Sequence, residues 1–262
     1  MVHLLNPYRY ASGGGGSAAE SAIAAFEAEW APAYVFDAHL VDDAGFTDGQ
    51  AITGITNRGD AGGTWAEATN KPIYVASNAA FNDLPTVQFD GVNDKLQSSA
   101  TTTVTSATSP LSHIWFMIAA WHDTLPGTTV ALFGSDDTNN TTNTRVYQEG
   151  AGSNVVCNES LDFFSFRAKI TALDTPFGYA MQTGATSTNA KFWNAGNATF
   201  ASPTSSGSTG RADATGGLIL AQLHSGLNPA PLDLAYFAYG HTVMTADILT
   251  AWDAVLVEYG LS

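Results

Sequence analysis

A chain of 262 residues that is 45% hydrophobic and only 13% charged is long enough to bury a two-layer core and too apolar to be disordered. Its formal net charge of −15, from 24 acidic and 9 basic residues, leaves no basic surface for nucleic acid or for an anionic membrane. A single cysteine, Cys157, excludes an intrachain disulfide, and no segment approaches the roughly 18 apolar residues that span a bilayer.

Residues 1–17 read as an arm. Its head, Pro7-Tyr8-Arg9-Tyr10, carries the aromatic and arginine side chains that anchor interfaces. Four consecutive glycines, Gly13 to Gly16, follow as a hinge that is entropically expensive to order. The arm is either a frayed terminus or a tethered peptide that docks on another subunit. Asn6, Pro7 and Arg9 break up the start of the chain, so no secretory signal is read there and synthesis in the cytoplasm is expected.

Residues 18–32 read as a short helix, Ala18 to Trp30, with Ser17 as N-cap and Pro32 as the stop. Ala22, Ile23, Phe26 and Trp30 form its apolar stripe, which packs on the body of the domain or on a neighbouring subunit.

Residues 33–262 read as one domain, β-rich to about Gly240. Strands are expected over 33–39, 50–56, 72–76, 85–90, 94–98, 112–121, 129–134, 144–148, 154–158, 161–169, 177–183, 189–194, 197–201, 216–223 and 231–239. They are short and divided by Gly, Asn, Asp, Ser, Thr and Pro clusters, the pattern of a sandwich. The continuous apolar run Ile114 to Trp121 belongs in the middle of the stack. The runs Asn189–Asn194 and Asn197–Ala201 flank Ala195-Gly196 as a hairpin. Thr101 to Ser109 and Ser202 to Gly210 read as polar loops. A closing helix starts at the N-cap Thr245, turns Ile248, Leu249, Trp252, Val255, Leu256 and Tyr259 to one face, and stops at Gly260.

Three blocks, taken together, resemble the concanavalin A-like (laminin-G-like) jelly-roll family. They are Ala33-Tyr34-Val35-Phe36-Asp37-Ala38, the stretch from Leu84 through Phe89-Asp90-Gly91 to Asp94-Lys95-Leu96, and Leu234 to Gly240 with the helix that ends in Tyr259-Gly260-Leu261. The resemblance covers about residues 33–262 and implies an all-β jelly-roll sandwich. The opening Asn6-Pro7-Tyr8-Arg9-Tyr10 is similar to the short leaders of tailed-phage structural proteins, which implies a virion or gene-transfer-agent-like particle as the setting.

Chemistry is sparse. Glycosidases of this family carry a Glu-x-Asp-x-x-Glu strand, and no glutamate here has an aspartate two residues on. No Gly-x-Ser-x-Gly elbow occurs, and the six histidines show no zinc spacing. The expectation is therefore a chain that is not an enzyme. Calcium is the one ion to carry, at Asp136, Asp137 and Asn139 with Asn140, or at Asp42, Asp43 and Asp48. For sugars, Trp65 with Glu67 and Asn70, and Trp193 with Asn194, offer an indole face beside carboxylate and amide groups. The leading expectation is a virion structural protein (head decoration, spike or tail component). It would form a homo-oligomer, contact other virion proteins through Pro7, Tyr8, Arg9 and Tyr10, and bind neither nucleic acid nor membrane. The alternative is a carbohydrate-binding module that engages host glycans, with a glycoside hydrolase third.

Overall fold

The computed structural model describes residues 17–105, 113–123, 129–135, 144–149, 154–159, 162–166, 172–183, 189–194, 197–201, 204–205, 214–222 and 229–261. Over 102–105, 144–166 and 183–216 that description is of backbone pairing. The sequence candidates Pro7, Tyr8, Arg9, Tyr10, Asp136, Asp137 and Asn139 lie outside it.

Two antiparallel sheets stack as the alternating and continuous strand patterns require. The first holds β1 (Tyr34–Asp37), β4 (Ile73–Asn78), β5 (Leu84–Asp90), β8 (His113–Trp121), β13 (Phe177–Thr183), β14 (Asn189–Asn194), β15 (Asn197–Ala201) and β19 (Pro231–His241). Its order is β15-β14-β13-β8-β19-β5-β4, with β1 also against β19. The second holds β2 (Gly54–Thr56), β3 (Thr64–Ala66), β6 (Leu96–Ser98), β9 (Val130–Ser135), β10 (Thr144–Glu149), β11 (Asn154–Glu159), β12 (Asp162–Phe166), β16 (Thr204–Ser205) and β18 (Leu218–Leu220). Its order is β16-β12-β11-β10-β9-β18-β6-β3-β2. β7 (Thr102–Thr105) and β17 (Ala214–Gly216) pair as a separate ribbon. The chain is thus an all-β sandwich with a helical layer added.

That layer consists of α1 (Ala18–Trp30) and α3 (Ala246–Glu258), which cover the outer face of the first sheet. Ile23, Phe26 and Trp30 of α1 and Ile248, Trp252, Val255 and Leu256 of α3 pack on Val35, Ile114, Phe116, Ile118, Tyr236 and Ala238. The stripe of the first helix therefore rests on the body of the domain. Phe26 and Trp252 lie 4.7 and 5.0 Å, centroid to centroid, from Phe116, within the range of favourable aromatic pairs. Ser17 caps α1 through a reciprocal box with Glu20, and Thr245 caps α3. Gly260 ends α3 at φ +72°, where a side chain would be strained.

Three strands explain the apolar runs. β8 and β19 lie side by side with helices on one face and the second sheet on the other, so both of their faces are buried. Trp115, Met117 and Trp121 of β8 enter the inter-sheet core, while Ile114, Phe116 and Ile118 meet the helices. β9 is likewise buried at every position. The hairpin read from sequence is β14–β15, in register from Ala190↔Ala201 to Asn194↔Asn197. The loops expected at 101–109 and 202–210 in fact contain β7 and β16. A short helix, α2 (His39–Asp43), occupies the end of the first expected strand.

A bulge in β19 has consequences for chemistry. The register against β8 shifts between Leu234 and Tyr236. Before the bulge Leu232 and Leu234 point into the inter-sheet core; after it Phe237 and Tyr239 do, and Ala235 and Tyr236 both face the helices. One extra residue resets the strand's alternation and aims the Tyr236 hydroxyl at α1.

Candidate functional site

Two groups of polar side chains on the first sheet bear on function: a cluster enclosed beneath α1, and a row on the outer face beside β4.

The enclosed cluster is built by the loop between β2 and β3. Asn57 pins that loop to β1: its Oδ1 accepts from Val35 N at 2.8 Å and Gly59 N at 3.0 Å, and its Nδ2 donates to the Ala33 and Gly62 carbonyls. The fit is so close that a Cβ on Gly59 would stand 2.2 Å from the Ala33 oxygen. Arg58 is thereby carried under α1. Its guanidinium donates to both Glu27 oxygens, at 3.0 and 2.5 Å, and to Asp37 Oδ2 at 2.8 Å. Tyr236 Oη donates to Glu27 Oε1 at 3.1 Å, and Asp37 Oδ1 accepts from His39 N at 3.0 Å and faces His39 Nδ1 at 2.9 Å. Glu27 and Asp37 are buried. Burial pushes the Asp37 carboxyl up, but Arg58 and His39 outweigh it and hold it at about 2. At Glu27 burial prevails over the same arginine and the pKa is raised. Two carboxylates with opposed shifts invite an acid–base reading, yet both are locked to one cation beneath a helix. The arrangement is structural.

The outer row is different. Ile73, Gln88, Asp233 and Ala120 stand in register across β4, β5, β19 and β8. Asp233 is the floor of this row at 5% exposure; Gln88 and Asn78 are half-buried around it and Ile73 is exposed. Gln88 Nε2 donates to Asp233 Oδ1 at 3.2 Å and Asn78 Nδ2 to Oδ2 at 3.1 Å. No Lys or Arg among the described residues forms an ion pair with Asp233, and burial raises its pKa against the smaller pull of His122 and the two amides. The neighbouring row carries Asp90 and Pro231, paired across β5 and β19, with His122 held to Pro231 O by its backbone N–H. His122 Nε2 lies 2.5 Å from the Phe89 carbonyl; its Nδ1 is 3.1 Å from Asp123 Oδ2, off the line of a hydrogen bond. Burial pushes Asp90 up, but three backbone N–H groups, of Val92, Asn93 and Asp94, hold its carboxyl below the usual range. Asp94 is raised by burial. This face thus combines carboxylates shifted in opposite directions, two amides and an exposed aliphatic side chain. Such groups suit neutral polyhydroxylated ligands better than anions.

The sugar candidates from sequence divide differently. Trp65 is not a platform: it is fully buried, its indole donates to Val35 O at 2.6 Å, and Tyr34, Phe36 and Phe237 surround it. Its sequence neighbours are polar, but β3 turns its side chain into the core. Glu67 braces a turn, accepting from Ala68 N and Thr69 N at 3.0 Å with Lys95 Nζ at 3.5 Å. Burial raises its carboxyl, and those partners bring it below the usual range. Asn70 fixes the same turn to β6 through its carbonyl, which accepts from Lys95 N. Trp193 and Asn194 lie on β14 near the opposite edge of the first sheet from β4; their side chains are outside the described set. Asp42, Asp43 and Asp48 form no metal cage: among the described residues no three His, Cys, Asp or Glu side chains gather closely enough to hold a metal ion. The sequence reading missed Asp233 and Gln88, although a lone acid within the apolar run 231–239 was a visible signal.

No protein-family model and no curated protein matches the chain. Solved structures match at the level of fold. An arabinofuranosidase complexed with arabinofuranosyl-α-1,2-xylobiose superposes with a TM-score of 0.55 at 13% identity, over 80% of this chain and 51% of that one. A GH54 α-L-arabinofuranosidase soaked with 4-nitrophenyl α-L-arabinofuranoside gives 0.55 at 12% identity, over the same shares. Domain 4 of a GH43 arabinanase from Geobacillus stearothermophilus, in complex with arabinotriose, gives 0.44 at 15% identity, over 86% and 98%. The chain spans about half the length of the arabinofuranosidase chains it matches. This likeness corrects the expectation of a non-enzyme. That expectation rested on absent sequence motifs (a carboxylate strand, a serine elbow and zinc-spaced histidines), whereas the fold shared here is carried by glycoside hydrolases whose names state their activity.

Proposed function

We propose that the chain is a glycan-engaging jelly roll that contacts neutral sugars along the Ile73–Gln88–Asp233 row. The observation that carries the reading is the sandwich itself, which aligns over 80% of the chain with a glycosidase structure holding an arabinose-substituted xylobiose. The row supplies chemistry of the right kind: carboxylate and amide groups orient hydroxyls, and the aliphatic Ile73 covers C–H surface. The decisive experiment is titration calorimetry with arabinoxylan and arabinan oligosaccharides on the full chain, alongside release of 4-nitrophenol from the arabinofuranoside. Binding that weakens about tenfold in Gln88→Ala is the expected result. A flat response to a broad glycan array together with no hydrolysis would sink it.

Display of this roll on a phage-like particle is the setting we propose from the N-terminal leader, and deletion of residues 1–17 followed by an incorporation assay tests it separately.

A further inference from the structure

We propose that Glu27, Arg58, Asp37 and His39 form a pH-responsive latch that holds α1 against the sheet. The argument is one of charge and distance. Glu27 and Asp37 share a single guanidinium, so with both carboxyls ionised, a state that burial opposes at Glu27, the three groups carry one net negative charge inside the fold. His39, bonded to Asp37 through Nδ1 at 2.9 Å, is the fourth member. With its imidazole protonated the cluster is neutral; with it neutral, one negative charge is enclosed without compensation, and such a charge is costly to bury.

The groups facing His39 set which state prevails. From α1 comes Glu20, from β1 Asp37, from the β2–β3 loop Arg58, and from its own helix Asp43. The ring of Tyr259, just past α3, stands edge-on to the imidazole, and the Tyr236 hydroxyl on β19 ties to Glu27. Burial opposes the second proton, and His39 Nε2 has no hydrogen-bond partner among the described residues. Asp37 and Glu20 favour that proton and prevail, leaving the imidazole pKa raised. A group raised on folding stabilises fully below its unfolded pKa and loses that contribution as pH rises through the folded value. The latch is therefore tightest below the ordinary imidazole range and slackens as pH rises through the raised imidazole pKa. Because Glu27 lies in the middle of α1 and is the helix's charged tie to the loop, α1 is the element released.

The test uses the full chain and is independent of the glycan reading. NMR of the six histidine side chains follows the imidazole of His39 directly, while hydrogen exchange of the 18–30 amides, corrected for intrinsic pH dependence, follows α1. The expected result is loss of the His39 proton above pH ~6.5 in step with α1 exchange, which quickens by about tenfold for each unit by which the pKa is raised. In His39→Gln, which keeps a donor for Asp37 but cannot gain charge, the step disappears. If α1 exchange stays level while His39 titrates, or if His39→Gln shows the same step, the latch is wrong. Should that variant not fold, the wild-type titration alone decides between the two outcomes.

Discussion

The enclosed cluster under α1 and the outer row beside β4 both hold buried carboxylates, and the first, unlike the second, has an arginine among its members. Arg58 gives Glu27 and Asp37 a shared cation, so these carboxylates act as ties between helix, loop and strand. Asp233 has only amide donors and a nearby imidazole, so its burial is left partly uncompensated. A paired acid is committed to the fold. Asp233, buried on β19 and held by the Gln88 and Asn78 amides, has no such tie to a cation among the described residues. That contrast makes the outer row the functional candidate, and it can be broken by experiment.

The largest effect is expected from Arg58→Met, which strands two carboxylates in the interior. It should destabilise the fold by about 3–5 kcal/mol, read from the urea midpoint at pH 7; a loss under 1 kcal/mol would mean that the cluster holds nothing together. Next is acid sensitivity. Asp37 is depressed to about 2, so its contribution is present above the unfolded carboxylate range and is lost as pH falls through that value. Asp37→Asn should remove roughly 2 kcal/mol of this acid-linked stability, seen as a flatter dependence of Tm on pH between about 5 and 2.

Asp233→Asn should act in the opposite sense. A raised carboxyl costs stability once pH exceeds its folded pKa, so the neutral amide should leave stability at pH 7 unchanged or higher by about 1 kcal/mol, with the Gln88 amide flipping to maintain the pair. Glycan affinity should nevertheless fall about tenfold. Intact binding would show that the row is not the contact surface. The smallest effect belongs to Glu67→Gln, which removes only a half-exposed tie to Lys95. Stability should change by less than about 0.5 kcal/mol, and binding should not change.

Much of the fold was legible in the residues. The two long helices follow from stripes of 3.6-residue period and from Ser17 and Thr245 as caps, and β8 and β19 from apolar runs too continuous for a surface strand. Glu27, which lies along the stripe of Ile23 and Trp30, was not among the apolar positions read there, and its burial came from the structure. β3 was not legible either: three residues after Gly62-Gly63 carry no period, and that hid the burial of Trp65. Nor could local pattern show the bulge at Ala235 or the partner of Glu27, which lies 31 residues away on a loop.

The sequence by itself determined the strand-rich class, the helix ends, the acidic balance and the lack of a disulfide, because each depends on composition or on neighbours within a turn or two. The tertiary structure decided that Trp65 is core, that Arg58 joins Glu27 to Asp37, and that Asp233 is buried beside the Gln88 and Asn78 amides. Those outcomes depend on which distant strands become neighbours, and on where a single inserted residue reverses the faces of β19.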